Sequence, residues 1–289
     1  MSFTIFVDGS SNLPRKQLET LSIRVLPCSY TLDGKPGVYE GDVDSFDFHA
    51  YYDLLRGGAQ MKTTLLNTHL FLTHWKPELE KGLDVLYVCM SSGISGTFQA
   101  ATLAAQELED AFPERTVRVV DSMGSGFGSG LLACRAADLR AEGKNVRETA
   151  DIVDAEVPQM LQFFTVDDLN FLKRTGRLSG AGALVGTMLN IKPLLWGDPT
   201  GHITAYAKHR GRKKVMDAIV EEYRRRVAEP ENNRVAISHG DCLSDAQALA
   251  ERICAIARPK ELIICPHEPF TGSHVGPGML ALFFHGTGR

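Results

Sequence analysis

The stretch Thr271-Gly272-Ser273-His274-Val275-Gly276-Pro277-Gly278 sets one histidine among three glycines and a proline, directly ahead of the apolar run Met279–Phe284. Glycine opens backbone conformations closed to other residues, and Pro277 fixes φ and removes a donor. Such a stretch can hold an imidazole rigidly while a ligand comes close to the backbone. The plain alternative is a tight turn with an incidental histidine. An imidazole beside an apolar strand suits a molecule with a polar head and a long apolar body.

Hydroxyl side chains form the second chemically able group. The run Met90-Ser91-Ser92-Gly93-Ile94-Ser95-Gly96-Thr97-Phe98-Gln99 passes from an apolar segment into a Gly/Ser/Thr loop that opens a helix. Backbone N–H groups and the helix dipole make that position favourable for an anion. Ser95 lies between Gly93 and Gly96, so its hydroxyl can be reached closely; capping by Ser95 or Thr97 explains the same residues. In Phe6–Pro14, Ser10, Ser11 and Asn12 before Pro14 read as capping chemistry, with Asp8 able to orient a neighbouring hydroxyl. Ser95, His274 and either Asp8 or Asp121 would make a serine hydrolase or esterase, with Ser95 as nucleophile and His274 as base. Against it, Thr97 stands where the last glycine of G-x-S-x-G belongs.

Other motifs are weaker. Val120–Gly130 places glycines at 124, 126, 128 and 130, which suggests close backbone packing. Ser129 takes the third glycine position of G-x-G-x-x-G, so no dinucleotide register results. Gly180, Gly182 and Gly186 follow the charged segment Lys173–Arg177 instead of a buried strand. No G-x-x-x-x-G-K-[ST] phosphate loop occurs. Cys265 with His267, and His69 with His74, make no recognisable metal-ligand set.

These residues must be positioned by an α/β framework. Apolar runs at Phe3–Val7, Val85–Met90, Val117–Val120, Leu161–Thr165, Val235–Ser238 and Leu262–Cys265 read as buried strands. Amphipathic helices are expected over Phe98–Ala111, Gly128–Glu142, Val146–Val157, Lys213–Val227 and Asp245–Ala257. The alternation implies crossover connections and largely parallel sheets, whose strand ends offer ligand positions. A boundary near Pro158 divides residues 1–158 from 159–289, the final segment being free to pack back on the first domain.

Composition limits the function classes. The chain has 289 residues, 44% hydrophobic and 23% charged, with net charge −4. That balance opposes a nucleic-acid binder, and the basic run Lys208–Lys214 reads as a solvated face. The amino terminus lacks a signal-peptide pattern, and no apolar stretch reaches the roughly 20 residues that span a bilayer. Six cysteines at 28, 89, 134, 242, 254 and 265 form no CxxC pair, which fits reduced thiols and a cytoplasmic location.

Taken in order, Val7–Leu13, Ser91–Gln99, Val120-Asp121-Ser122, Val166–Ser179 and Gly272–Gly278 resemble the DegV family of fatty-acid-binding proteins, including the FakB subunits of bacterial fatty acid kinase. The ordered match runs over almost the full length. The resemblance implies an α/β fold of two domains with a long-chain fatty acid in the cleft between them. It implies that Thr63, Ser95 and His274 bind the carboxylate, with Thr64, Gly96, Thr97 and Gly272 in the supporting loops. Arg174 and Arg177 become contacts for charge or for a partner. Where the family usually reads Thr-Ser-Gln-Pro-Ser, this chain has Thr63-Thr64-Leu65-Leu66-Asn67, which alters the loop and the mouth of the pocket.

The same resemblance implies a carrier without catalytic residues, cofactor or metal of its own. It would present the carboxylate to a separate ATP-dependent fatty acid kinase subunit, the acyl phosphate passing on to an acyltransferase. The physical demand is consistent. A sixteen-carbon tail is worth roughly 12 kcal/mol gross at about 0.8 kcal/mol per methylene, and a buried carboxylate needs donors. Phe163, Leu184, Val185, Met188, Leu189, Ile191, Leu194 and Leu195 are the expected lining, with a helix of the domain core as the alternative. A charged imidazolium at His274 would strengthen the carboxylate bond.

Overall fold

The computed structural model describes residues 3–179 and 190–289. Its first elements are β1 (Phe3–Asp8), α1 (Arg15–Thr20), β2 (Ile23–Leu26), β3 (Cys28–Leu32) and β4 (Lys35–Tyr39). Next come α2 (Phe48–Arg56), β5 (Met61–Thr63), α3 (Thr68–Glu80), β6 (Asp84–Cys89), α4 (Thr97–Ala111), β7 (Val117–Asp121), α5 (Phe127–Ala141) and α6 (Val146–Glu156). The later part holds β8 (Met160–Thr165), α7 (Asn170–Arg174), β9 (Ile191–Gly197), β10 (Ile203–Arg210) and α8 (Arg212–Arg226). It ends with β11 (Arg234–His239), α9 (Leu243–Ile256), β12 (Glu261–Pro266), α10 (Pro269–Val275) and β13 (Leu280–His285).

The chain forms two compact units. One comprises 3–46 with 61–157, the other 47–60 with 158–289. One division falls after Val157. Residues 47–60, however, group with the later residues, because α2 packs on α10.

The first unit is built on a four-stranded sheet of order β2-β1-β6-β7, parallel throughout. All six residues of β1 and all six of β6 are buried, which is why they read as continuous apolar runs. Helices α3 and α4 pack together as one layer, and α5 and α6 as another. Phe71, Trp75 and Tyr87 form an aromatic cluster with ring centroids 4.7–5.6 Å apart. A small antiparallel sheet, β4-β3-β5, completes the unit and carries Thr63 at the end of β5, paired with Tyr30.

The second unit holds a six-stranded sheet of order β10-β9-β8-β13-β11-β12. Here the expectation of largely parallel pairing is corrected. Only β11–β12 is parallel: a short turn returns β10 antiparallel on β9, and β9 and β13 insert antiparallel against β8, with β13 antiparallel to β11 as well. The last strand, β13, lies inside this sheet between β8 and β11, so the final segment belongs to the second unit. Leu161, Phe163, Leu194, Leu282 and Phe284 share one core with Val215, Ile219, Tyr223, Leu249 and Ile253 of α8 and α9. Ile191–Trp196 is therefore strand and not helix, and Phe163 and Leu194 serve this core. Leu184, Val185, Met188 and Leu189 lie outside the described residues, as do Gly180, Gly182 and Gly186. The basic run is divided: Lys208–Arg210 closes the edge strand β10, and Arg212–Lys214 opens α8.

Candidate functional site

In the first unit the hydroxyl loop is set by the carboxyl ends of β6 and β7. Asp121 accepts the backbone N–H of Ser92 at 3.2 Å and that of Met123 at 3.0 Å, tying the loop to the end of β7. Ser91 is fully buried, and its Oγ accepts the Gly93 N–H at 3.0 Å. Ser95 follows, partly exposed, its Oγ 2.9 Å from Thr97 Oγ1 and accepting the Thr97 N–H at 3.2 Å. Gly96 is the N-cap of α4 and gives no side-chain cap. Ser95 thus stands at a helix N-terminus, where donors and dipole favour an anion.

Thr63 is partly exposed at the end of β5, and the Thr64 N–H donates to the Ser29 carbonyl at 3.0 Å. Leu66 is buried, and Asn67 caps α3 by accepting the Leu70 N–H at 3.0 Å. Leu65 stays half exposed, its Cδ2 3.6 Å from the place a Cβ would take on Gly96. The Thr63–Asn67 and Ser95–Thr97 segments are therefore neighbours within this unit.

Asp8 is buried at the end of β1 and accepts from the Ser10 backbone and hydroxyl and from the Tyr87 hydroxyl. Burial raises its pKa, against the lowering effect of those hydrogen bonds. Asp8 thus orients hydroxyls, while the carboxylate of Asp121 binds backbone N–H groups. Neither arrangement is that of a triad acid holding a histidine. Gly130 of α5 lets the helix approach the Ser11 carbonyl, where a Cβ would lie 2.4 Å away.

In the second unit His274 sits in the last turn of α10, a short helix and not an isolated turn. Pro269 occupies the first helical position, and the buried Glu268 caps it by accepting the N–H groups of Phe270 at 2.5 Å and Thr271 at 2.9 Å. The helix stops at Gly276, whose φ of +78 suits glycine and whose missing Cβ leaves room for the Phe171 ring. The buried His267 ring bridges Ser238 Oγ and Thr271 Oγ1, each at 2.9 Å. Tyr51 donates to the Pro269 carbonyl at 2.8 Å and Tyr52 to the His267 carbonyl at 2.9 Å. These four residues frame the helix that carries the histidine.

Burial pulls the His274 imidazole down to about 4, and the positive charges of Arg177 and Arg174 push the same way. Without a bound carboxylate the imidazole is therefore held in its neutral form at neutral pH. A neutral ring still donates one hydrogen bond, and the fixed positive charge comes from the arginines. Arg174 lies over the Phe171 ring at 4.3 Å, and Arg177 donates to the Thr175 carbonyl. Both belong to the turn that faces His274 electrostatically, so Arg174, Arg177 and His274 form one group. Thr63, Thr64, Ser95, Gly96 and Thr97 form the other.

Sequence reasoning missed Tyr51, Tyr52, His267 and Glu268. The Glu268-Pro269 pair is a helix-start signal, whereas the tyrosines give none. It also missed His49, Asp53 and Asp241, whose ligand atoms lie within 4.8 Å of one another. There Arg56 already pairs with Asp53 at 2.7 Å and Asp241 at 2.6 Å, offsetting part of the charge. No disulfide joins any of the six cysteines, and among the described residues no helix is long and apolar enough to cross a membrane.

Comparison with known proteins adds breadth to this geometry. The family described as "Uncharacterised protein, DegV family" matches residues 2–286. A DegV domain-containing protein of Clostridium perfringens is 33% identical over 285 residues, covering 98% of this chain and 97% of the relative. A DegV family protein from Thermus thermophilus, described for its fatty acid binding, superposes with TM-score 0.88 at 29% identity, covering 99% of this chain and 100% of the other. A DegV lipid-binding protein from Thermotoga maritima gives TM-score 0.87 at 26% identity, with 100% of both chains covered. The match extends across both units and every segment that carries the candidate residues: this chain belongs to the DegV family.

Proposed function

We propose that this protein binds a long-chain fatty acid, with Thr63 and Ser95 of the first unit and His274 of the second as carboxylate ligands. The observation that carries the reading is the full-length likeness to the Thermus protein described for fatty acid binding, at 29% identity. The local chemistry supports it. Ser95 lies at the N-terminus of a 15-residue helix, and His274 is a neutral donor backed by Arg174 and Arg177. Hydroxyl, imidazole and nearby guanidinium groups are what a desolvated carboxylate requires. Thr64, Gly96 and Thr97 flank the hydroxyl donors, and Gly272 precedes His274 in α10.

The chain acts as a cytoplasmic carrier and leaves ATP chemistry to a separate kinase subunit. That kinase would transfer the γ-phosphoryl group of ATP to a carboxylate oxygen, releasing ADP and leaving an acyl phosphate for an acyltransferase. Native mass spectrometry of the freshly purified protein, followed by lipid extraction, tests the binding. A mass increment of one fatty acid is expected. Absence of any acyl ligand, together with no uptake of added palmitate or oleate, would overturn the reading. A fluorophosphonate probe that labelled Ser95 stoichiometrically would replace the carrier by a hydrolase.

A further inference from the structure

Leu65 is 49% exposed on the segment after Thr63, whereas Leu66 beside it is 3% exposed and anchored. The exposed leucine leans toward Gly96, the residue next to Ser95. Gly96 has φ −75, a conformation open to every residue. Apart from its chain neighbours and its own helix, Leu65 Cδ2 is the described atom that comes within 4 Å of its Cβ position, at an ordinary contact distance of 3.6 Å. Gly130, Gly272, Gly276 and Gly278 differ: a Cβ on each would meet Ser11, Tyr52, Phe171 or Asp167 at 2.0–2.7 Å. Those glycines are demanded by packing, and Gly96 is not.

We propose that Leu65 and Gly96 control the exchange of a long-chain carboxylic acid at Ser95, Leu65 as an apolar cover and Gly96 as the clearance beside it. The proposal rests on the fatty-acid reading above. A leucine held half in water gains by covering the first methylenes of a bound chain. It also keeps water from the hydrogen bonds at the head group, as rim residues do around a buried contact. Removing half of a leucine's transfer free energy corresponds to about fivefold in a dissociation rate. A polar side chain at 65 therefore speeds release, and bulk at 96 obstructs entry without disturbing the fold.

Stopped-flow displacement of a dansyl-labelled undecanoic acid by oleate reads both effects on the full chain. Leu65→Ser should raise the dissociation rate about fivefold with the urea midpoint unchanged. Gly96→Asn adds its side chain at an exposed position of allowed φ with one ordinary contact, so stability holds while probe uptake is lost. A Leu65→Ser rate within about twofold of wild type, below what the transfer estimate allows, would overturn the cover. Wild-type uptake by a folded Gly96→Asn variant would overturn the clearance. A wild-type chain that takes up neither probe nor oleate overturns the fatty-acid reading and this one together. A binding wild type with indifferent variants overturns this one alone.

Discussion

The Tyr52 hydroxyl and Gly272 share one space: a Cβ on Gly272 would lie 2.7 Å from that oxygen, which donates to the His267 carbonyl at 2.9 Å. Tyr52 is fully buried, so neither partner has room to move. Gly272→Ala should cost about 1–3 kcal/mol by overpacking. Combining it with Tyr52→Phe removes the oxygen that the new methyl meets. The double variant is expected to be more stable than the sum of the single effects predicts, a coupling that urea denaturation of the four proteins measures. Strict additivity would show that the two residues do not constrain one another.

Gly276 and Gly96 make a matched contrast. Gly276→Ala places a Cβ 2.6 Å from the Phe171 ring at φ +78, so strain and overlap add, at about 2 kcal/mol or more. Gly96→Ala meets one carbon at ordinary distance and should change stability by about 0.5 kcal/mol or less. Thermal unfolding of both variants checks the pair. Equal losses would contradict the packing described at both sites.

Much of the framework was legible because β1 and β6 are buried on both faces, which leaves continuous apolar runs with no alternation to misread. The β3–β4 hairpin had a local signal as well: Asp33-Gly34 takes φ of +47 and +80, the dipeptide and conformation of a tight hairpin. The second sheet was harder. Its pairing is decided by where β13 and β9 insert, and apolar runs such as Leu280–Phe284 look the same whether their neighbours are parallel or antiparallel. The place of α2 rests on Tyr51 and Tyr52 bonding to carbonyls 218 and 215 residues away, a separation no local pattern reports. Ser95 and His274 stood out through their glycines, while His267 and Glu268 work from inside the fold.

Acid should destabilise the protein through His274 and His267. Burial holds their folded values at about 4 and about 3, against 6.5 for free histidine. Between pH 6.5 and 4 the unfolded chain therefore binds more protons at His274, and stability falls as pH is lowered through that window. For His274 the full loss is on the order of 3 kcal/mol, and His267 extends the fall toward pH 3. Asp8, with its pKa raised by burial, works in the opposite direction. Comparing urea midpoints of wild type and His274→Gln from pH 7 to pH 4 isolates the residue; parallel curves would deny its depressed titration.

The carboxylate assignment predicts a graded set of affinities. Ser95→Ala, Thr63→Val and His274→Ala each remove a proposed hydrogen bond to a charged group, worth about 1.5–3 kcal/mol, or roughly tenfold to a hundredfold in Kd. Arg174→Gln and Arg177→Gln act through field and not contact. Their effect should be smaller and should shrink as salt rises from about 0.05 to about 0.5 M and screening becomes strong. Titration with a fluorescent fatty acid at several salt concentrations separates the two classes. Binding should also raise the His274 pKa above its ligand-free value, because an adjacent carboxylate favours the imidazolium. Proton NMR of the ring with and without oleate would show that rise. An unchanged titration with saturating ligand would place the carboxylate away from His274, and undiminished affinity in all three contact variants would remove the site altogether.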